Sequence, residues 1–281
     1  MATLSATRRP SQRRRAARWL PAATTVLVVL SLGACAMPHS ASPPSTPPQP
    51  ELRVGIATNY PPLAFKRNGQ ITGVEAQFAS KLGPALGMQT TLVETPWEEL
   101  IPALRDDRID VIMSGMSITD ERQQLVSFAH PYLRVGQMML LRRSDTRRLR
   151  NARVINQPTT RIGVVSGTTG EAYVRQHVKR AQPRGFESVD AAVAALRTRQ
   201  IDVVVHDAPS IYRITTGSKE RELVGRYEPL TEEYLAWAVR KDDDALRARL
   251  DAVLTQWNAS GTLDSVLGKW IKVRRNAPPG K

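Results

Sequence analysis

Between residues 51 and 273, short apolar runs alternate with stretches of helical spacing, and this alternation constrains the fold more than any other feature. Strands are predicted at Leu52–Ala57, Thr90–Glu94, Asp110–Met113, Gln137–Leu141, Arg161–Val165, Asp202–His206 and Leu235–Val239. Between them, Phe78, Leu82 and Leu86 recur at helical spacing, as do Leu100, Ile101 and Leu104, and then Val189, Ala192, Val193 and Leu196. The longest amphipathic run, Leu246, Leu250, Val253, Leu254 and Trp257, predicts a helix with its apolar stripe on a sheet. Pro84 and Pro102 fall inside two of the helical patterns and are expected to kink or delay them. Strands alternating with helices give an α/β fold. A chain of 281 residues has room for one large domain or two small ones. Composition separates two strand-plus-helix groups near Arg142 and again near Tyr234. Arg142–Arg153, rich in charge and poor in apolar residues, reads as a solvated start to the second group.

The N-terminus has a different character. Residues 1–34 hold six arginines and no acid, and the last of these arginines, Arg18, is followed by the mostly apolar run Leu20–Leu32. That run is shorter than the ~20 residues a spanning helix needs, so it reads as an export signal. It ends in Leu32-Gly33-Ala34-Cys35, which resembles the lipobox of bacterial lipoproteins. The resemblance implies that 1–34 is removed and that Cys35, the chain's single cysteine, is lipidated and anchors the protein to a membrane. Residues 36–50 contain six prolines and are expected to form, with Cys35, an extended tether of roughly 45 Å. Residues 274–281 lack apolar pattern and are expected to be a frayed tail.

The net charge of +14 falls to +8 once the six N-terminal arginines are set aside. The remaining basic residues are interspersed with acids, so charge alone does not indicate nucleic-acid binding. One cysteine excludes an internal disulfide and a cysteine-cluster zinc site, and four scattered histidines argue against a histidine metal centre. No cofactor is expected.

Five segments appear in register: Leu52-Arg53-Val54-Gly55 with Tyr60-Pro61-Pro62; Trp97-Glu98-Glu99-Leu100-Ile101-Pro102-Ala103-Leu104; Asp110 through Arg122, which includes Ser114-Gly115-Met116-Ser117; Gly163-Val164-Val165-Ser166-Gly167-Thr168-Thr169; and Ile201 through Asp207. Together they resemble the polar-amino-acid family of periplasmic solute-binding proteins, the receptors of ABC importers. The resemblance implies a type II periplasmic-binding-protein fold, two α/β lobes joined by a two-strand hinge. Lobe 1 would comprise 51–141 plus 236–273, and lobe 2 would comprise 142–235. It further implies a free amino acid as ligand, permease subunits as partners, a monomer, and a place in the cell envelope, lipid-anchored on the periplasmic side or outer face of the cytoplasmic membrane.

The chemistry of such a ligand explains the residue types. A free amino acid carries a carboxylate and an ammonium on one carbon, and both must be compensated on leaving water. Family position assigns Arg122 to the carboxylate and Asp207 to the ammonium, with Thr169 between them. Ser117 offers a hydroxyl and an amide, Ser114 belongs to the same turn, and Gly115 lets backbone approach closely. Thr168 and Thr169 precede a helical pattern, whose N-terminal amides favour an anion. Tyr60 and Trp97 match the aromatic positions of the side-chain pocket. Ala57 and Val165 stand where relatives that bind basic amino acids or glutamine carry polar groups, which predicts a neutral ligand. Glu94 or Asn59 is the remaining polar candidate.

Bland readings compete. Arg122 could be a surface helix residue, Asp207 a helix cap and the two aromatics core residues. His206 reads as structural. A hydrolase triad from Ser166, His206 and Asp207 lacks the Gly-x-Ser-x-Gly elbow. Dehydratases of the same superfamily place a glutamate three residues after the counterpart of Asp207, where this chain has Ser210. A ligand-sensing module is the other alternative. The lipobox yields a direct expectation: Cys35→Ser moves the protein from the membrane to the soluble fraction on cell fractionation and leaves ligand binding unchanged.

Overall fold

A computed structural model describes residues 49–271 apart from 152–154, 182 and 218–219. The predicted export signal, Cys35, nearly all of the tether and the tail lie outside the described residues. The chain first lays down β1 (Glu51–Ile56), β2 (Asn59–Tyr60), β3 (Ala64–Arg67), β4 (Gln70–Thr72), α1 (Val74–Leu86), β5 (Gln89–Glu94), α2 (Leu100–Arg105), β6 (Val111–Ile112), α3 (Asp120–Leu125) and β7 (Val126–Phe128). It crosses through β8 (Leu133–Val135) into β9 (Gln137–Arg142), β10 (Ile162–Val165), α4 (Thr169–His177), β11 (Pro183–Phe186), α5 (Val189–Arg197), β12 (Val203–Asp207), α6 (Ala208–Thr215) and β13 (Leu223–Arg226). It returns through β14 (Glu233–Leu235) to β15 (Ala238–Arg240), α7 (Asp244–Ala259) and α8 (Thr262–Trp270).

The result is two five-stranded sheets of matching order, β5-β1-β6-β15-β7 and β11-β10-β12-β9-β13. Each has three parallel strands followed by one antiparallel strand from across the junction: β15 pairs antiparallel with β6, and β9 with β12. The crossings themselves pair as β8 and β14. This is the expected two-lobe α/β fold with its two-strand hinge.

Alternation within the strands explains why each sheet is covered on both faces. In β9, Met138 and Leu140 enter one apolar cluster while Met139 and Leu141 enter the opposite one. In lobe 1, Val111 and Met113 face α1 and α7, and Ile112 faces α2. The predicted stripe of α7 is buried throughout, with Trp257 stacked on Phe78 at 5.7 Å. Pro84 lies in the last turn of α1 and Pro102 in the first turn of α2, so neither helix is broken.

Three details depart from the sequence reading. β9 belongs to the second sheet, so the chain leaves lobe 1 before Gln137 rather than at Arg142. A uniformly apolar strand looks the same in either sheet, and only pairing decides. The predicted strand Leu235–Val239 is split between β14 and β15, because its two halves pair with different partners. Arg142 is buried rather than solvated. It pairs with Asp145 at 2.6 Å and Asp202 at 3.3 Å, and donates to the Ile201 carbonyl at 2.7 Å. Burial opposes ionisation of Asp202, but its bonds from Arg161 outweigh that and hold the carboxyl at about 2.

A three-stranded sheet, β2-β3-β4, was not anticipated. Its signal was Asn68-Gly69, a two-residue turn with φ of 51° and 77° joining Arg67 to Gln70. The same small sheet carries Tyr60 on β2, paired with β3. Trp257→Ala should cost about 3–5 kcal/mol by removing a buried aromatic, measurable as a lower midpoint in urea denaturation.

Candidate functional site

The loops after β1, β6, β10 and β12 leave the C-terminal ends of parallel strands and meet between the two sheets, where α/β folds collect their ligands. They line a cavity of about 570 Å³. Tyr60, Trp97, Gly115, Ser117 and Arg122 come from lobe 1, and Thr168, Thr169 and Asp207 from lobe 2. Eight of the nine predicted site residues are therefore brought together. Ser114 is not among the lining residues: it is buried, and its Oγ accepts from the Ala57 amide at 3.0 Å. Of the polar candidates for the side-chain end, Asn59 lines the cavity. Glu94 is instead paired with Lys66 at 2.6 Å.

Local chemistry places each group. Thr119 caps α3, accepting from the Arg122 amide at 3.2 Å, and so begins the helix that carries Arg122. The guanidinium donates to the Ser117 carbonyl at 2.9 Å and lies 5.2 Å over the Trp97 ring. Burial pulls Arg122 below its ordinary value, while Asp207 and Glu233 act the other way. Thr168 caps α4, and with Thr169 it sets the N-terminus of that helix on the cavity wall. Gly115 has φ of +67°, and a Cβ there would lie 2.6 Å from Leu63 and 2.8 Å from Tyr60.

Asp207 immediately precedes α6 yet makes no cap bond with its side chain. Its carboxylate turns instead to the Tyr60 hydroxyl and the Gln137 amide, which both donate to it. Burial, and next the charge of Glu233, push Asp207 up to about 7. The capping alternative for Asp207 is not the geometry observed, and Arg122 lines the cavity rather than the outer surface, whereas Tyr60 and Trp97 line the cavity and also pack into lobe 1 core clusters.

Three polar groups at or behind the cavity, Glu233, Gln137 and Glu75, are marked by no motif in the sequence, and His206, expected to be structural, lines the cavity. Glu233 accepts from Ser117 Oγ, Thr169 Oγ1 and Thr231 Oγ1, each at 2.7 Å, and from Gln137 Nε2 at 3.1 Å. Gln137 is fully buried on β9, and its Oε1 has no partner. Glu75, in the first turn of α1, receives the Gly115 amide at 2.6 Å, the Tyr132 hydroxyl at 2.5 Å and the Trp237 indole at 3.1 Å. It thereby fixes the Gly115 turn, and burial raises it to about 7. His206 lines the cavity, and its buried Nδ1 lacks a partner 4.0 Å from Asp207 Oδ2. Burial lowers it to about 4, so the ring is neutral.

Direct bonds join the lobes. Trp97 Nε1 donates to the Gly167 carbonyl at 3.0 Å and Asn59 Nδ2 to the Glu187 carbonyl at 3.0 Å. Ser210 Oγ donates to the Pro61 carbonyl at 2.9 Å. The arrangement is a crevice able to take an anion at Arg122 and a cation at Asp207.

Residues 52–273 match the family model for bacterial extracellular solute-binding proteins, family 3. The chain belongs to this family. It is 27% identical over 221 residues to the L-cystine-binding protein TcyJ of Escherichia coli K12, covering 78% of this chain and 82% of that one. Among solved structures it is similar to the ancestral amino acid-binding protein AncCDT-1, a precursor of cyclohexadienyl dehydratase, with 33% identity, a TM-score of 0.75, and coverage of 79% and 96%. It is also similar to an ancestral arginine-binding protein bound to arginine, with 26% identity, a TM-score of 0.71, and coverage of 80% and 99%. The chain is thus an extracytoplasmic solute-binding receptor, and no described helix is long and apolar enough to cross a membrane.

The raised carboxyls have a signed consequence. An unfolded Asp titrates near 3.9 and an unfolded Glu near 4.3. Folded Asp207 and Glu75 hold their protons up to about 7. Their stabilisation is complete below pH ~4 and is lost as pH rises through ~7. Without added ligand, the melting temperature should therefore fall between pH 5 and 8 on their account. Asp207→Asn should make that fall shallower, and an unchanged slope would show that Asp207 does not titrate there.

Proposed function

We propose that this protein captures a free amino acid between its lobes and delivers it to an ABC importer. The observation that carries this reading is that Arg122 and Asp207, from opposite lobes, face one cavity of about 570 Å³, which has room for an amino acid. Arg122 and the α4 amides take the carboxylate, and Asp207 takes the ammonium. Because each lobe holds one pole, ligand interacts better with the closed arrangement than with an open one, which is the differential contact that closure needs. Lipidation of Cys35 would keep the receptor near its permease at the membrane.

The side chain would lie among Trp97, Phe186, Val165 and Val189, surroundings that suit a neutral ligand. A cationic amino acid is the second reading, favoured by Glu98 and Glu187, which also line the cavity. A calorimetric panel of the common amino acids separates the two, and mass spectrometry of ligand that co-purifies with protein from residue 36 onward identifies the physiological one.

We read the chain as a binding protein rather than a dehydratase. Ser210 stands where those enzymes place their glutamate, and it is buried with its hydroxyl engaged by Pro61. Turnover of prephenate or arogenate by the purified protein would reverse this. Removing one member of a buried charge pair costs ~2–5 kcal/mol. At 1.4 kcal/mol per decade, Arg122→Ala and Asp207→Ala should each weaken binding roughly 30- to several-thousand-fold by calorimetry. A variant that binds within about twofold of wild type would remove that residue from the site.

A further inference from the structure

We propose that Glu233 is a positioning residue that makes the Asp207 end of the cavity selective for an ammonium group, by taking the hydroxyl protons of Ser117 and Thr169 and so turning both oxygens toward the ligand as acceptors. This inference rests on the amino-acid reading above and adds a residue and a mechanism to it.

Donor counting supports it. A hydroxyl has one proton and two lone pairs. Ser117 Oγ and Thr169 Oγ1 both donate to Glu233 Oε2 at 2.7 Å, and both residues line the cavity. Thr168 gives its proton to the Val165 carbonyl at 2.7 Å. None of the three hydroxyls has a proton left for a ligand carboxylate, but Ser117 and Thr169 keep lone pairs that an ammonium can use. The carboxylate is left to Arg122 and backbone amides.

Glu233 is itself held in place. Its other oxygen accepts from Thr231 Oγ1 at 2.7 Å and Gln137 Nε2 at 3.1 Å, so donors from lobe 1 (Ser117), lobe 2 (Thr169 and Gln137) and the return crossing (Thr231) converge on one carboxylate. Gln137 Nε2 also lies within hydrogen-bond distance of Asp207 and, at 3.1 Å, of Thr169 Oγ1, so its two protons are shared among the two acids and that hydroxyl. Gly170 makes room for this, since a Cβ there would lie 2.6 Å from Gln137 Oε1. The groups facing Asp207 are the Tyr60 hydroxyl, the Gln137 amide, the neutral His206 ring, Arg122 and Glu233. With two carboxylates against the single Arg122, this end of the cavity carries an excess of negative charge. The charge of Glu233 also raises Asp207, so the ligand's ammonium competes with a proton near neutral pH.

The test uses the full chain, the best-binding amino acid from a panel of the common twenty, and its deaminated analogue, which keeps side chain and carboxylate. Wild-type affinity for the amino acid should rise roughly tenfold per pH unit below pH ~7 and level off above it. Glu233→Gln should flatten that profile above pH ~6 and lower the plateau at about pH 8.5 by tenfold or more, while affinity for the deaminated acid changes less than about threefold. Ser117→Ala leaves Glu233 in place and reads the hydroxyl's polarity if Glu233→Gln does not fold. It should weaken the amino acid and spare the deaminated acid. Equal losses for both probes in either variant would make Glu233 only a structural strut and overturn the proposal. So would an unchanged pH profile in a folded Glu233→Gln protein. If no amino acid binds wild type at all, the amino-acid reading itself fails, and this inference with it.

Discussion

Burial of the Asp207 carboxylate is the constraint around which the crevice is organised. An ionised carboxylate out of water is costly unless opposite charge or several donors compensate it. The donors that reach Asp207 come from distant parts of the chain: Tyr60 from the first hairpin, Gln137 from the first strand past the hinge. Its cationic counterpart, Arg122, stands on a helix of the other lobe and is stacked on Trp97. Neither lobe alone balances the charges it presents, so the polar chemistry favours bringing the lobes together as much as it favours binding.

The hinge is more than a connection in this arrangement. The return crossing delivers Thr231 and Glu233 into the same cluster as Gln137, which stands on the first strand past the outgoing crossing. Glu233 touches a hydroxyl from each lobe, so the relative position of the lobes and the orientation of the ligand-facing hydroxyls are set by the same carboxylate. A shift of one lobe would break hydrogen bonds to a partly buried acid. Such a cluster behaves as a unit with few good geometries.

Glu75 plays a comparable part inside lobe 1. Three donors and no cation surround it, and one of them is the Gly115 amide in a turn that only glycine adopts without strain. The position of the Gly115–Ser117 segment thus depends on a carboxyl that never meets the ligand. Glu75, fully buried, and Glu233, half-buried, both hold cavity-lining groups by hydrogen bonds from behind.

Much of this was legible in the linear chain. Short apolar runs and helical spacing located most of the strands and helices, and the resemblance of five motifs to a known family pointed to Arg122, Asp207, Thr169 and the two aromatics, because both signals are carried by local runs of residues. The Asn68-Gly69 hairpin was legible as well, through its turn chemistry, though it was not among the predicted elements. Other features depended on pairing at long range. β9 is apolar on both faces and could have joined either sheet, and Ser114 carries the same hydroxyl as Ser117 but turns into the protein instead of the crevice. Glu233, Gln137 and Glu75 are ordinary polar residues in sequence, and they acquire their roles only where folding removes water and leaves each with a particular set of donors. Local pattern determined the elements and the chemical types at their ends. Tertiary structure decided which of those groups are buried, and burial is what converts a side chain's charge and hydrogen-bond capacity into an orienting force.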